Sequence, residues 1–129
     1  MTEKHLLAIN TVSGSCSVAV TKDSTVLSTK TRLADKGHSE IIISLIENVL
    51  LESELNVKQL DGFIVCTGPG NYTSLRVAIS VIRGLSLACE KPACGISLFE
   101  LLSTNKTKVL VLIKGPSERF YVQDFSFHQ

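Results

Sequence analysis

Gly62-Phe63-Ile64-Val65-Cys66-Thr67-Gly68-Pro69-Gly70-Asn71-Tyr72-Thr73-Ser74-Leu75-Arg76 carries an apolar, β-branched run straight into Gly-Pro-Gly and then into a helical pattern. It reads as a buried strand from Asp61 to Thr67, a tight loop, and a helix from Tyr72 to Cys89. Gly68 and Gly70 give the loop backbone freedom, and Pro69 fixes one dihedral. The first amides of the helix have no intrahelical partner and point outward as donors. Two uses fit this junction. It can hold a phosphate or carboxylate, with Arg76 one turn into the helix as a cation, or it can let the helix fold back closely on its own strand. Arg76 could as readily salt-bridge the first helix.

Upstream, residues 5–10, 16–21 and 25–33 read as three antiparallel strands, turned at Ser13-Gly14-Ser15 and at Lys22-Asp23-Ser24. After Asp35-Lys36-Gly37, apolar residues at Ile41, Ile42, Leu45, Ile46, Val49 and Leu50 mark a helix that ends near Glu54. Ile43 and Leu51 widen that stripe beyond what one sheet requires, so the helix is expected to offer a contact surface. On the later helix, Ser80, Gly84 and Ala88 recur every four residues beside Val77, Val81 and Leu85. Such a row of small side chains admits a second helix at close range, or the protein's own sheet.

Pro92 ends that helix, Ala93 to Ile96 forms a short strand, and Ser97 with Glu100 three residues on caps a brief helix through Leu102. The order is βββαβαβα. It implies an α/β fold with a mixed sheet and helices on its faces, of the ribonuclease-H-like and actin-like kind. Residues 1–104 make that lobe, and residues 105–129, with strands at 109–113 and 120–127, read as the opening hairpin of a second.

The chain has 129 residues, 44% of them hydrophobic, enough for one core. Thirteen basic and twelve acidic residues leave a net charge of +1, too little to attract nucleic acid without a partner. No apolar run is long enough for a signal peptide or a membrane span, so the cytoplasm is the expected location and no membrane is involved. Cys16, Cys66, Cys89 and Cys94 show no metal-site spacing and read as buried free thiols.

With this order in place, three stretches resemble one family. They are Leu7-Ala8-Ile9-Asn10-Thr11 with Cys16-Ser17-Val18-Ala19-Val20, then Gly37-His38-Ser39-Glu40, then Gly68-Pro69-Gly70-Asn71-Tyr72-Thr73-Ser74-Leu75-Arg76. Together they resemble the TsaB family, often filed under a glycoprotease-like label, across about residues 5–105. The resemblance implies an actin-like fold and a non-catalytic subunit in the synthesis of threonylcarbamoyladenosine on tRNA. Its partner is TsaD, with TsaE in the assembled complex, and tRNA is met only through that complex. The second lobe is expected to be cut short.

Carried onto this chain, the family's subunit contact would use His38, Ile41, Leu45 and Val49 on the first helix and Val77, Ser80, Gly84 and Ala88 on the second. The same surface could close as a homodimer. Two departures weaken a nucleotide site at Gly68, Gly70 and Arg76. Asn10 stands where the family has Asp, and an amide lacks the charge that orients a metal. Ser74 stands where the family has Gly, which puts a side chain where a ligand needs bare backbone. No cofactor is therefore expected, ATP or ADP being the alternative.

Chemistry within the chain lacks its parts. The catalytic relatives, TsaD, place two metal-binding histidines four residues apart, whereas His38 is followed at that spacing by Ile42. Zinc and iron sites take at least three protein ligands, so no metal is expected. His5, His38 and His128 are scattered and pair with no nucleophile by spacing, which disfavours a peptidase.

Overall fold

The computed structural model describes residues 3–12, 14–33, 38–103 and 108–126. Its elements follow the predicted order: strands β1 (His5–Asn10), β2 (Ser15–Lys22) and β3 (Thr25–Leu33), helix α1 (His38–Glu52), β4 (Gly62–Cys66), α2 (Tyr72–Cys89), β5 (Ala93–Ile96) and α3 (Leu98–Leu102). A hairpin of β6 (Lys108–Lys114) and β7 (Phe120–Ser126) completes them. Phe127, expected at the end of that hairpin, and the turn residues Asp35-Lys36-Gly37 lie outside the described residues.

The first five strands form one sheet in the order β3-β2-β1-β4-β5. β1 pairs antiparallel with β2 and parallel with β4, and β4 pairs parallel with β5. The sheet is therefore mixed, as the sequence implies. Its register sets Leu7 opposite Val20 and Phe63, and Ile9 opposite Val18 and Val65. All six project to one face, because side chains alternate along a strand.

Both long helices cover that face. α1 lies on β2 and β3, α2 lies on β4, β1 and β5, and the two helices touch each other. Ile42, Leu45, Ile46 and Val49 of α1 and Ala78 and Ile82 of α2 complete one core with the strands. Each large buried side chain contributes roughly 1.5 to 3 kcal/mol by leaving water. The opposite face carries small residues, Ala8, Ser17 and Ala19, in a groove of about 210 Å³ that Ile96 of β5 and Leu101 of α3 also line.

Local chemistry ends the elements where the sequence allows. Asn71 caps α2, its Oδ1 accepting from the Ser74 amide at 3.0 Å. Ser97 caps α3 by accepting from the Glu100 amide at 3.1 Å. A single 3₁₀ turn at Val57–Gln59 precedes β4, closed by a reciprocal capping box between Asn56 and Gln59. At the far end of α1, Glu52 accepts from the Ser28 hydroxyl at 2.6 Å and pairs with Lys30 at 2.6 Å, which ties the helix to β3.

Candidate functional site

The Gly-Pro-Gly turn is shaped by contacts inside the chain. Gly68 has φ +98°, and a Cβ there would lie 2.8 Å from Leu75 Cδ1. A Cβ on Gly70 would lie 2.9 Å from the Val12 side chain and carbonyl. Both glycines are thus explained by the close approach of α2 and the β1–β2 connection. The Ser74 side chain, expected to stand where a ligand needs bare backbone, turns inward instead. It is buried, its hydroxyl donating to the Thr11 carbonyl at 3.1 Å while the Thr11 hydroxyl donates to the Ser74 carbonyl at 3.2 Å. Asn10 is likewise engaged locally, accepting from the Val12 amide at 3.1 Å.

Between this turn and the tip of the β6–β7 hairpin lies a cleft of about 470 Å³, lined by Val12, Gly70, Asn71, Leu98, Lys114 and Tyr121 among others. Its size suits a small ligand. Its chemistry does not suit a magnesium nucleotide, since its lining residues include one cation, Lys114, and no carboxylate. Arg76 does not reach it as a lining residue, and it forms no ion pair with α1 among the described residues. It stacks over the Tyr72 ring, 5.2 Å from the centroid, on the exposed side of α2.

The expected helix surface is rearranged. Leu45 and Val49 are buried against the protein's own sheet, because α1 turns its i, i+3, i+4, i+7 line toward β2 and β3. They are core residues and cannot meet a second molecule without unfolding. Ile41 and Val77 are half-buried at the margin of the same core. His38 opens α1, and its side chain lies outside the described residues. What α1 turns outward is Ile43 and Leu51, the residues that widen its stripe.

On α2 the small residues do face out. Ser80, Gly84 and Ala88 are exposed, and a Cβ on Gly84 would meet nothing within 4 Å. Close packing on the protein's own sheet is therefore not what these residues serve. Leu87 belongs with them, 81% exposed and seven residues from Ser80. Its i+7 spacing from Ser80 is the sequence signal that places it there.

Asp61 accepts from the His5 amide at 2.8 Å, and this bond, with nearby Lys4 and Lys91, holds its carboxyl below the usual range. Burial pushes the Cys16 and Cys66 thiols up. The expectation of four buried thiols holds for these two alone, since Cys89 is half-buried and Cys94, on edge strand β5, is exposed. Among the described residues no three His, Cys, Asp or Glu side chains gather as metal ligands.

A family model described as TsaD, tRNA N6-adenosine threonylcarbamoyltransferase, matches residues 25–128. The tRNA threonylcarbamoyladenosine biosynthesis protein TsaB of Escherichia coli K12 is 32% identical over 127 residues, 94% of this chain and 54% of that protein. TsaB of Buchnera aphidicola subsp. Schizaphis graminum is 30% identical over 122 residues, 90% of this chain and 58% of that protein. The chain thus spans little more than half the length of these curated relatives. A crystal structure from Pseudomonas aeruginosa, described as an uncharacterized protein with similarity to peptidase YeaZ, superposes with a TM-score of 0.84 at 23% identity. That match covers 98% of this chain and 61% of the other, and it shows the shared fold. TsaB proteins align along nearly all of the chain, and with most of its residues inside the family model it belongs to the TsaD family.

Proposed function

We propose that the chain serves as a TsaB-type subunit with no chemistry of its own, docking a TsaD-type partner in the formation of threonylcarbamoyladenosine on tRNA. The observation that carries this reading is the outward side of α2, where Ser80, Gly84, Leu87 and Ala88 make a shallow strip open to a second helix. Ile43 and Leu51 are exposed on α1, the helix that touches α2. Burying a side chain such as Leu87 in a contact contributes roughly 1.5 to 3 kcal/mol. The net charge of +1 supports a role in which tRNA is gripped by the assembled complex, TsaE included. The reading takes no cofactor, since the cleft beside Gly70 has no carboxylate lining it to hold a magnesium ion. Its place of work is the cytoplasm, and among the described residues no helix is long and apolar enough to cross a membrane.

Co-expression with the TsaD subunit of the same source tests the proposal. The chain is expected to co-purify, and Gly84→Arg or Leu87→Asp is expected to weaken the complex by about tenfold or more. Leu45 is unsuitable for this purpose, because a charge there unfolds the protein. Failure of the unaltered chain to co-purify would remove the subunit reading. Full binding by both variants would instead move the contact away from α2.

A further inference from the structure

The two long helices carry opposite charges on the sides they turn away from the sheet. β3 and β4 both run parallel to β1, and each feeds a helix that runs back across the sheet. Ser74 at the start of α2 is held to Thr11 at the end of β1, and Glu52 in the last turn of α1 reaches back to Ser28. α1 and α2 therefore lie side by side and point the same way. The only charged residues of α2 are Arg76 and Arg83, both exposed and lying opposite the buried line of Leu75, Ala78 and Ile82. α1 has no Lys or Arg, and its exposed Glu40 and Glu47 lie opposite the buried line of Ile42, Leu45 and Val49. None of these four charges belongs to the ion pairs found among the described residues. Arg83 also stands at a hollow. Between α2 and edge strand β5 lies a depression of about 440 Å³, lined by Arg83, Gly84, Ser86, Leu87 and Ala93. Gly84 leaves it open, and Arg83 is its one charged lining residue.

We propose that this division of charge selects the partner and fixes the orientation in which it docks, with Arg83 receiving a carboxylate that the partner projects into the hollow. The inference rests on the subunit reading above and adds to it the chemistry of the opposing surface. That surface carries Asp or Glu where it meets α2 and Lys or Arg where it meets α1. The guanidinium of Arg83 presents its N–H donors as a planar fork, which matches a carboxylate two bonds at a time. Arg76, held over the Tyr72 ring, supplies a second positive charge one side of Ser80. A partner turned end for side, with its basic stretch over α2, sets like charges against each other on both helices. Such juxtapositions reject wrong partners and wrong orientations more than they raise affinity for the right one. The small residues of the strip set how closely the partner approaches, and the four charges set which way round it lies.

Surface plasmon resonance of the 129-residue chain over the immobilised TsaD subunit of the same source is the test. Arg83→Glu is expected to weaken binding by about tenfold, and Arg83→Lys by about threefold, since lysine keeps the charge and loses the fork. Glu47→Lys is expected to slow association by about threefold. Added salt should weaken the unaltered chain, and the Arg76→Glu/Arg83→Glu variant should lose that dependence. Circular dichroism of each variant should be unchanged, because all the altered residues are exposed. Binding indifferent to Arg83→Glu, equal losses for Arg83→Glu and Arg83→Lys, or an affinity insensitive to salt would overturn the proposal. So would a complex that forms unchanged with Arg83→Glu but retains less tRNA, which would assign the arginines to phosphate. Binding blocked by Leu87→Asp yet untouched by Arg83→Glu removes this proposal alone. No binding by the unaltered chain removes it together with the subunit reading.

Discussion

Thr11 and Ser74, separated by 63 residues, each donate a hydroxyl to the other's carbonyl, at 3.2 and 3.1 Å. The pair is buried and fastens the end of β1 to the first turn of α2. Ser74→Ala leaves the Thr11 carbonyl without that donor. It is expected to cost about 1 to 3 kcal/mol in urea unfolding with little change in slope. A loss below about 0.5 kcal/mol would mean the loop is held by other contacts.

The two helices should answer substitution in opposite ways. Leu45→Ala removes a core side chain and is expected to cost about 2 to 5 kcal/mol. Gly84→Ala meets open space on an exposed helix surface and is expected to add about 0.5 to 1 kcal/mol. Thermal melts of the two variants check both signs at once.

Gly70→Ala is expected to destabilise by about 1 to 3 kcal/mol, because the new methyl would lie within 3.0 Å of Val12 backbone and side-chain atoms. Chemical denaturation measures it. A neutral result would show that the turn relaxes freely, and the packing account of this glycine would then be wrong.

The acid limb of stability should depend on Asp61. Its carboxyl is held below its unfolded value by the His5 amide first and by neighbouring positive charges after it. Such a group stabilises the fold above the unfolded value, about pH 4, and that contribution is lost as pH falls through the lower folded value. Asp61→Asn is therefore expected to flatten the fall in stability below about pH 4. Urea midpoints taken across that range show it, and an unchanged slope would assign the acid limb to other carboxylates.

Much of the fold is legible in the residues. The alternation in β1 and β2, the Gly-Pro-Gly junction and the 3.6-residue spacing of both helices fix every long element, because each rests on local sterics and burial. The direction in which α1 faces is not legible. Its apolar stripe is wide enough to suit either Leu45 or Ile43 as the buried line, and only packing on β2 and β3 decides in favour of Leu45. Ser74 shows a second limit. A side chain after a glycine-rich turn reads as an obstacle to a ligand until its carbonyl partner, distant in sequence at Thr11, is placed beside it. Leu87 and the Asn56–Gln59 capping box were both readable, from i+7 spacing and from an Asn-x-x-Gln pattern respectively.

Glu52 reaches from the last turn of α1 to both Ser28 and Lys30, near the middle of the outermost strand of the five-stranded sheet. One carboxylate therefore rivets an edge that is otherwise held along a single side. Backbone amides near Ser28 are therefore expected to exchange with solvent more slowly than those toward Thr25 or Leu33, with this rim fraying from its two ends and not from its centre.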